Sequence, residues 1–448
     1  DGGGTTTGDG TDGGGTTTGD STDGGGTTTG DSTDGGGTTT GDGSTSSQSP
    51  GSEPAPAAPT PENDFIDSAK MDELISTQLS HDSKIVVEAK TTGDTAQTIV
   101  NAAAFGKISA AAKDAALVIQ SGLSTVSVSA DSMKKQLEEL SIAPGQAKIA
   151  VIVTKSAAAV EAIAKNGVHL LTTPVTVEVQ VTTEDGRKLS VQPALKNSLV
   201  LPETAAGIST KHLAGVVIDP VTNEMFPVPV TFTDEGGKRM ANLPNRGNLA
   251  YAVVENDKSF KDVPASHYAK ESIDVLASKL IVTGESSDLF VPDRNVSRAE
   301  YATLLTRALG IVPQAEADSA FPDVAADNVH ARAIAAAAMA GLINGYTDGT
   351  FRPNEEITRQ EMVQMIFNAM RANGYAQEIK SEEKPQWLAA FGDRSQIPDW
   401  ASDAAAAAVK AGIIQGVAAN EFAPSYHADR AQGAAVVLRM MQTLQIVE

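Results

Sequence analysis

Residues 345–353 read Gly345-Tyr346-Thr347-Asp348-Gly349-Thr350-Phe351-Arg352-Pro353, and Thr358-Arg359-Gln360-Glu361 follows shortly after. Within this stretch a Gly stands six residues before a Phe, a Pro two residues after that Phe, and an Arg six residues beyond the Pro. The spacing recurs at Gly284, Phe290, Pro292 and Arg298, and again at Gly416, Phe422, Pro424 and Arg430. Upstream, each copy opens on Phe and Asp: Phe260-Lys261-Asp262-Val263, Phe321-Pro322-Asp323-Val324 and Phe391-Gly392-Asp393. Fixed spacing over three copies marks a repeat architecture, in which a unit that cannot bury its apolar face alone stacks on its neighbours.

The end of each copy predicts a helix start. Ser297, Thr358 and Asp429 supply an acceptor at the N-cap, and Glu300, Glu361 and Gln432 stand at N3, the capping-box arrangement. The helices that follow place Ala302, Leu305 and Leu309, then Val363, Ile366 and Met370, then Val436 and Met440, on single apolar stripes. With one further helix earlier in each copy, six helices are expected to converge on a shared bundle.

Arg298, Arg359 and Arg430 then fall at N1, where a cation opposes the helix dipole. An anion beside them would also meet the free N–H groups of the first turn, so a carboxylate or phosphate ligand explains an Arg there three times. On that reading Arg359→Ala would change binding far more than folding. Bridges to Asp262, Asp323 or Asp393 are the competing account. Gly284, Gly345 and Gly416 are expected to end the first helix of each copy as left-handed caps and to let backbone approach a ligand. Tyr268 and Trp400 occupy matching positions where the second copy has His330; stacking on a sugar is open to them, but core packing is the preferred reading.

Working outward, residues 65–255 turn to strand patterns. Val175, Val177, Val179 and Val181 alternate with polar residues, and Glu184-Asp185-Gly186-Arg187 supplies a hairpin turn before Leu189 and Val191. Further strands are expected at 117–119, 123–128, 149–153, 213–218 and 249–254, with turns at Asp219-Pro220 and Gly236-Gly237. Helices are expected near Ser68 to Leu79 and from an N-cap at Asp131 through Met133, Leu137 and Leu140. The segment reads as a β-rich, sandwich-like domain. His81, His169 and His212 are widely spaced, no HExxH or GxSxG occurs, and Glu184 and Asp185 read as solvated turn residues, so no catalytic group is assigned.

Within residues 1–64, residues 1–43 repeat DGGGTTTGD with a period of eleven from Asp1, Asp12, Asp23 and Asp34, and a Pro-, Ser- and Ala-rich run follows from Ser44 to Asp64. Without an apolar residue to stack inward this cannot be a calcium-binding β-roll, so a disordered linker whose Thr clusters could carry glycans is expected. The chain has 448 residues, no Cys and a net charge of −22, and the first 64 residues hold 11 Asp and Glu with no Lys or Arg. Zero Cys removes disulfides and thiolate metal sites. The acidic balance opposes nucleic acid and anionic lipid, and the Ala-rich run from Ala333 to Ala340 is too short to span a bilayer. A start at Asp1 without an apolar leader suggests a mature or trimmed product.

The FxDV openings, the aromatic-Ala pairs Tyr268-Ala269 and Trp400-Ala401, the Gly345 to Pro353 stretch and the TRQE signature resemble S-layer homology domains over about residues 258–445. That resemblance implies an all-α, pseudo-threefold assembly of three repeats, here 256–316, 317–386 and 387–448, that grips pyruvylated secondary cell wall polysaccharide in grooves between them. It implies that Arg298, Arg359 and Arg430 meet the ketal carboxylate and that Gly284, Gly345 and Gly416 shape the grooves. Copies one and three depart from the pattern at Glu285 to Asp288, Asp429 and Gln432, which makes the groove of copy two the best match. The β-rich segment also looks like the module often found upstream of such repeats. The expected protein is extracellular, anchored noncovalently to the cell wall as part of a surface layer, with no catalysis, cofactor, metal, nucleic acid or membrane insertion. An upstream polysaccharide-degrading domain or self-association as a lattice subunit are the alternative readings.

Overall fold

The computed structural model describes residues 64–79, 83–143, 145–315, 320–375 and 379–448. The linker expectation for residues 1–64 and His81 therefore lie essentially outside the described residues, of which Asp64 opens the first strand. The described residues all fall in a single compact unit.

Its first part holds two sheets. The main path of a ten-stranded sheet runs through Asp64–Ile66, Thr95–Asn101, Ala147–Lys155, Val175–Thr183, Ala250–Glu255, Leu213–Ile218 and Met225–Val228. A six-stranded sheet runs Thr231–Glu235, Lys238–Pro244, Leu195–Val200, Thr125–Ser129, Ala116–Gln120, Lys84–Glu88. Val177, Val179 and Val181 share a core with Leu117, Val126, Val128 and Leu199 of the second sheet, so alternating residues of both meet as the period-two pattern requires.

Both helices expected in this β-rich part form, and two more were not expected. Helices Ser68–Gln78, Ala103–Ala111 and Ala130–Glu139 contribute Met71, Phe105, Ile108, Met133 and Leu137 to the same core. Two strand pairs, Asp64–Ile66 with Thr98 to Val100 and Lys84–Glu88 with Ala116–Gln120, are parallel, which demands crossovers that hairpins cannot supply. A fourth helix, Ala157–Lys165, covers the outer face of the larger sheet and buries Val216, Ala252 and Val254. The Ala130–Glu139 helix is capped by Ser129, whose side chain accepts from Ser132 N–H at 3.3 Å, rather than by Asp131, which lies inside the first turn. His169 contacts Glu255 at 3.0 Å and His212 lies 3.6 Å from Asp257, each on its own exposed pair.

Each repeat supplies a leading helix, Lys270–Ser278, Ala331–Met339 or Asp399–Lys410, and a capped helix, Arg298–Ala308, Arg359–Ala372 or Arg430–Thr443. A short extra helix, Lys384–Leu388, precedes the third copy. Every capped helix packs on the leading helix of the next copy, and the third packs on the first, so the ring closes. The stripes named from sequence are buried, Ala302, Leu305, Val363, Ile366 and Met440 all at 0 % exposure. Caps end the leading helices at Leu280, Gly341 and Gly412, with φ of 62°, 68° and 73°, four residues before Gly284, Gly345 and Gly416. Those three glycines have no left-handed φ, which corrects their expected role as caps.

The β-rich part is bonded to the repeats. Lys279, only 6 % exposed, donates to the carbonyls of Thr210 and Leu213 at 3.0 Å, and burial pushes its ammonium down to about 8. Arg246 Nη2 donates to Leu309 O at 2.7 Å, and Gly310 sits so near Pro229 that a Cβ would meet its Cδ at 2.6 Å.

Candidate functional site

The three junctions between repeats share a backbone ring. Val296 N–H donates to Ala428 O at 3.0 Å, Ala428 N–H to Ile357 O at 2.9 Å, and Ile357 N–H to Val296 O at 3.0 Å, so each copy gives one bond and takes one. Beside this triangle, the N–H groups of Arg298, Arg359 and Arg430 donate at 2.9 Å to Glu355 O, Tyr426 O and Arg294 O respectively. The next N–H groups, of Ala299, Gln360 and Ala431, reach Pro353 O, Pro424 O and Pro292 O at 3.0 Å. The first-turn donors expected to be free for an anion are therefore spent on the neighbouring repeat.

The arginine side chains follow the same circuit. Nε of Arg298 donates to Phe351 O at 2.8 Å, Nε of Arg359 to Phe422 O at 2.9 Å, and Nε of Arg430 to Phe290 O at 2.9 Å. Each guanidinium also lies over the ring of that Phe, at 4.8, 5.7 and 4.3 Å from the centroid. The dipole cost at N1 is thus offset by a carbonyl and an aromatic face from the adjacent copy.

Asp262, Asp323 and Asp393 do not serve as the partners of these arginines. Their carboxylates accept backbone N–H groups instead: Phe290 and Val291 to Asp262, Phe351 and Arg352 to Asp323, Phe422 and Ala423 to Asp393, at distances between 2.6 and 3.1 Å. These bonds hold Val291, Arg352 and Ala423 at φ of 58°, 58° and 55°, a strained region for residues with a Cβ. Burial alone would raise the Asp262 and Asp323 carboxyls, but the two backbone donors at each pull them below their ordinary value. The opening Phe of each copy packs against this loop, with ring centroids 5.4, 5.2 and 5.4 Å apart in the pairs Phe260–Phe290, Phe321–Phe351 and Phe391–Phe422. Gly284, Gly345 and Gly416 lie under those rings. A Cβ would meet Phe260 Cε1 at 2.5 Å, Phe321 Cε1 at 2.7 Å or Phe391 Cε1 at 3.1 Å, so here glycine is a requirement of packing.

What remains of each guanidinium differs. At the first junction Arg298 is 4 % exposed; its Nη1 lies 3.1 Å from Glu361, and Tyr346 stacks at 4.6 Å and donates its hydroxyl to the same carboxylate at 2.5 Å. At the second, Arg359 is 3 % exposed and donates to Gln415 O at 3.0 Å and Gln432 Oε1 at 3.2 Å. Two guanidinium nitrogens of Arg298 and all three of Arg359 thus have protein partners. The expectation that Arg359 is dispensable for folding does not fit a buried guanidinium with three acceptors.

The junction of the third copy with the first is open. Glu300, the counterpart of Glu361, is taken by Arg294 at 2.5 and 3.2 Å, so Arg430 keeps only Thr283 O at 2.7 Å and a 3.6 Å approach to Glu285. A cleft of about 270 Å³ opens beside it, lined by Ile281, Val282, Leu304, Val329, Thr303, Glu300, Arg307, His330 and Arg430 among others. Thr303 Oγ1 lies 2.9 Å from His330 Nδ1. Burial pulls the His330 imidazole below its ordinary value, with Glu300 opposing and Arg307 adding to the fall.

Sequence reasoning missed Arg294, Arg307 and Thr283. Extending the repeat comparison nine residues past the N1 arginines would have found Arg307, matched by Asn368 and Arg439. Tyr268 and Trp400 are 66 % and 53 % exposed, not core residues, because the leading helix begins at the rim of its junction. Capping boxes form at Ser297 and at Thr358, where Glu361 accepts both the N–H and the hydroxyl of Thr358, at 2.9 and 2.7 Å. Asp429 accepts from Gln432 N–H at 2.7 Å, and the Gln432 amide turns to Arg359.

The S-layer homology domain family matches residues 259–302, 320–363 and 390–434. An amylopullulanase of Thermoanaerobacterium thermosulfurigenes is 38 % identical over 43 % of this chain and 10 % of its own length. The exoglucanase XynX of Acetivibrio thermocellus is 36 % identical over 48 % of this chain and 19 % of its own. A surface-layer 125 kDa protein of Lysinibacillus sphaericus is 34 % identical over 35 % of this chain and 12 % of its own. The matches thus span a fifth or less of these three relatives.

Proposed function

Because the chain carries three S-layer homology domains and sits at the extracellular, cell-wall-associated surface, we propose that it is held there noncovalently through an acidic cell-wall polysaccharide bearing pyruvate ketals. The observation that carries this reading is the cleft at the junction of the third and first repeats, where guanidinium groups stand beside apolar side chains. A ketal carboxylate suits Arg430 through charge-assisted hydrogen bonds, and sugar carbons suit Ile281, Val282 and Leu304. Arg298 and Arg359, which the family resemblance would also set on the glycan, hold their junctions shut, and Gly284, Gly345 and Gly416 let each loop close on its Phe.

The test is sedimentation of the full chain with isolated cell walls, before and after mild acid removes the ketals. Retention by untreated walls and loss on treated ones is expected. Equal retention would remove the carboxylate from the account, and no retention by untreated walls would remove the anchoring role itself.

Likeness to a surface-layer protein supports a second reading, a lattice subunit whose β-rich part makes the lateral contacts. Electron microscopy of the protein on wall fragments separates a periodic array from dispersed anchors. The enzymes resembled share the repeat region, so no catalytic role is drawn from them.

A further inference from the structure

Arg307 is the cation that neither the fold nor the family motif accounts for. It stands on the third turn of the first capped helix, half-buried, and its guanidinium has no hydrogen-bond or ion-pair partner among the described residues. Its counterparts are tied down: Asn368 Nδ2 donates to Leu342 O at 3.2 Å and Arg439 Nη1 donates to Ile413 O at 3.3 Å. The matching carbonyl in the first copy would be that of Ile281, which also lines the cleft, yet Arg307 makes no such bond. A desolvated guanidinium without an acceptor is costly to maintain, and burial already pulls its pKa below the ordinary arginine range.

We infer that Arg307 is the specificity-determining residue of this cleft. With Arg430 it forms a two-cation site that takes an anionic saccharide carrying its carboxylate toward one guanidinium and ring hydroxyls or a second anionic group toward the other. The inference rests on the glycan-anchor reading and deepens it: one junction of the three binds, and its affinity comes from a residue outside the repeated signature. The charges facing the cleft support it. Glu300 and Glu285 share Arg294, both at 2.5 Å, so with Arg307 and Arg430 three guanidinium groups face two carboxylates and the cleft keeps one net positive charge. At the first junction Arg298 meets Glu361 and Tyr346, and at the second Arg359 meets the Gln432 amide, contacts that Arg430 lacks at the third.

The experiment uses the full chain and its Arg307→Gln and Arg307→Lys variants. A methyl N-acetylhexosaminide bearing a 4,6-pyruvate ketal, and the methyl ester of that ketal, serve as probes in calorimetry, alongside sedimentation with whole walls and thermal melts. Loss of a charge-assisted contact predicts that Arg307→Gln binds the acid about ten- to a hundredfold more weakly, with Arg307→Lys between the two and melting points within a few degrees of the parent. The ester should bind the parent about as weakly as the acid binds Arg307→Gln. If the parent binds walls and acid while Arg307→Gln matches it, the assignment of Arg307 is overturned and the anchor reading stands. If Arg307→Gln loses its fold along with binding, Arg307 is a structural residue and the assignment is likewise overturned. If the parent binds neither walls nor acid, the anchor reading itself has failed.

Discussion

The junction of repeats two and three and the junction of repeats three and one are built on the same spacing and reach opposite ends. Each sends an Arg from N1 of a capped helix onto the carbonyl and ring of the next Phe. At the first of these Gln432 and Gln415 then absorb the remaining donors of Arg359, whereas Arg294 intercepts Glu300 and leaves Arg430 beside an open cleft. A motif therefore fixes where a guanidinium lies, but its neighbours decide whether it is cement or a site. The difference rests on position 294, where the other copies carry Glu355 and Tyr426, and on N3, which is Gln432 at one junction and Glu300 at the other.

The comparison breaks most sharply on stability. Arg298→Ala strands Glu361 in a buried site and should cost about 3 to 5 kcal/mol. Arg359→Ala leaves carbonyl acceptors unpaired and should cost about 2 to 3 kcal/mol, and Arg430→Ala only about 1 to 2 kcal/mol, since part of its partner set is solvent-exposed. Chemical denaturation of the three variants gives the ranking. A larger loss for Arg430→Ala than for Arg298→Ala would show that the open junction is the structural one.

Glycines sharpen the same contrast within one copy. Gly345→Ala drives a Cβ against Phe321 and the Thr350 carbonyl, and should cost about 1 to 3 kcal/mol through overpacking. Gly341→Ala meets nothing within 4 Å and pays for its φ of 68° alone, so about 1 kcal/mol is expected. Equal losses would mean that the loop shifts freely under the Phe ring.

Acid should probe the part that is symmetric. Because Asp262 and Asp323 have folded pKa values below their unfolded ones, the stability they contribute is fully present above the ordinary carboxylate range near 4 and is lost as pH falls through the lowered values. Asp323→Asn should flatten that part of the stability curve and lower stability at neutral pH, where the carboxylate's contribution is fully present; a slope unchanged from the parent would remove Asp323 from the account.

The smallest effect belongs to the open junction alone. His330 is held below its ordinary pKa of about 6.5 by burial, so the folded state binds fewer protons than the unfolded one below that value. Stability is full above pH 6.5 and declines as pH falls through the lowered range, while the same protonation adds a positive charge to the cleft. Anion binding should therefore strengthen on mild acidification in the parent and not in His330→Gln, measured by calorimetry at two pH values. A matching pH response in the variant would assign it elsewhere.

Much of the repeat region was legible because its information is local. A capping residue, an N3 carboxylate and an apolar stripe are short-range patterns, and the helices at 298–308, 359–372 and 430–443 start where those patterns place them. The strands at 175–183 and 213–218 were legible for the same reason, by alternation in one and continuous burial in the other. The misreadings have a common cause. An alanine-rich stretch such as Ala103–Ala111 carries little periodic contrast, and its helix is specified by the core into which it buries Ala104, Phe105 and Ile108.

Sequence alone determined that there are three copies, where their second helices begin, and which residues recur at fixed intervals, since all of these follow from spacing along the chain. Only the tertiary structure decided what each recurring residue touches. Arg298, Arg359 and Arg430 have partners 53, 63 and 140 residues away, in the next copy around the ring, and no interval within one repeat encodes which carbonyl closes on which guanidinium. Ring closure brings the first and third copies together, and within that closed geometry Arg294 draws Glu300 away from Arg430 while Arg307, without a partner among the described residues, lines the cleft.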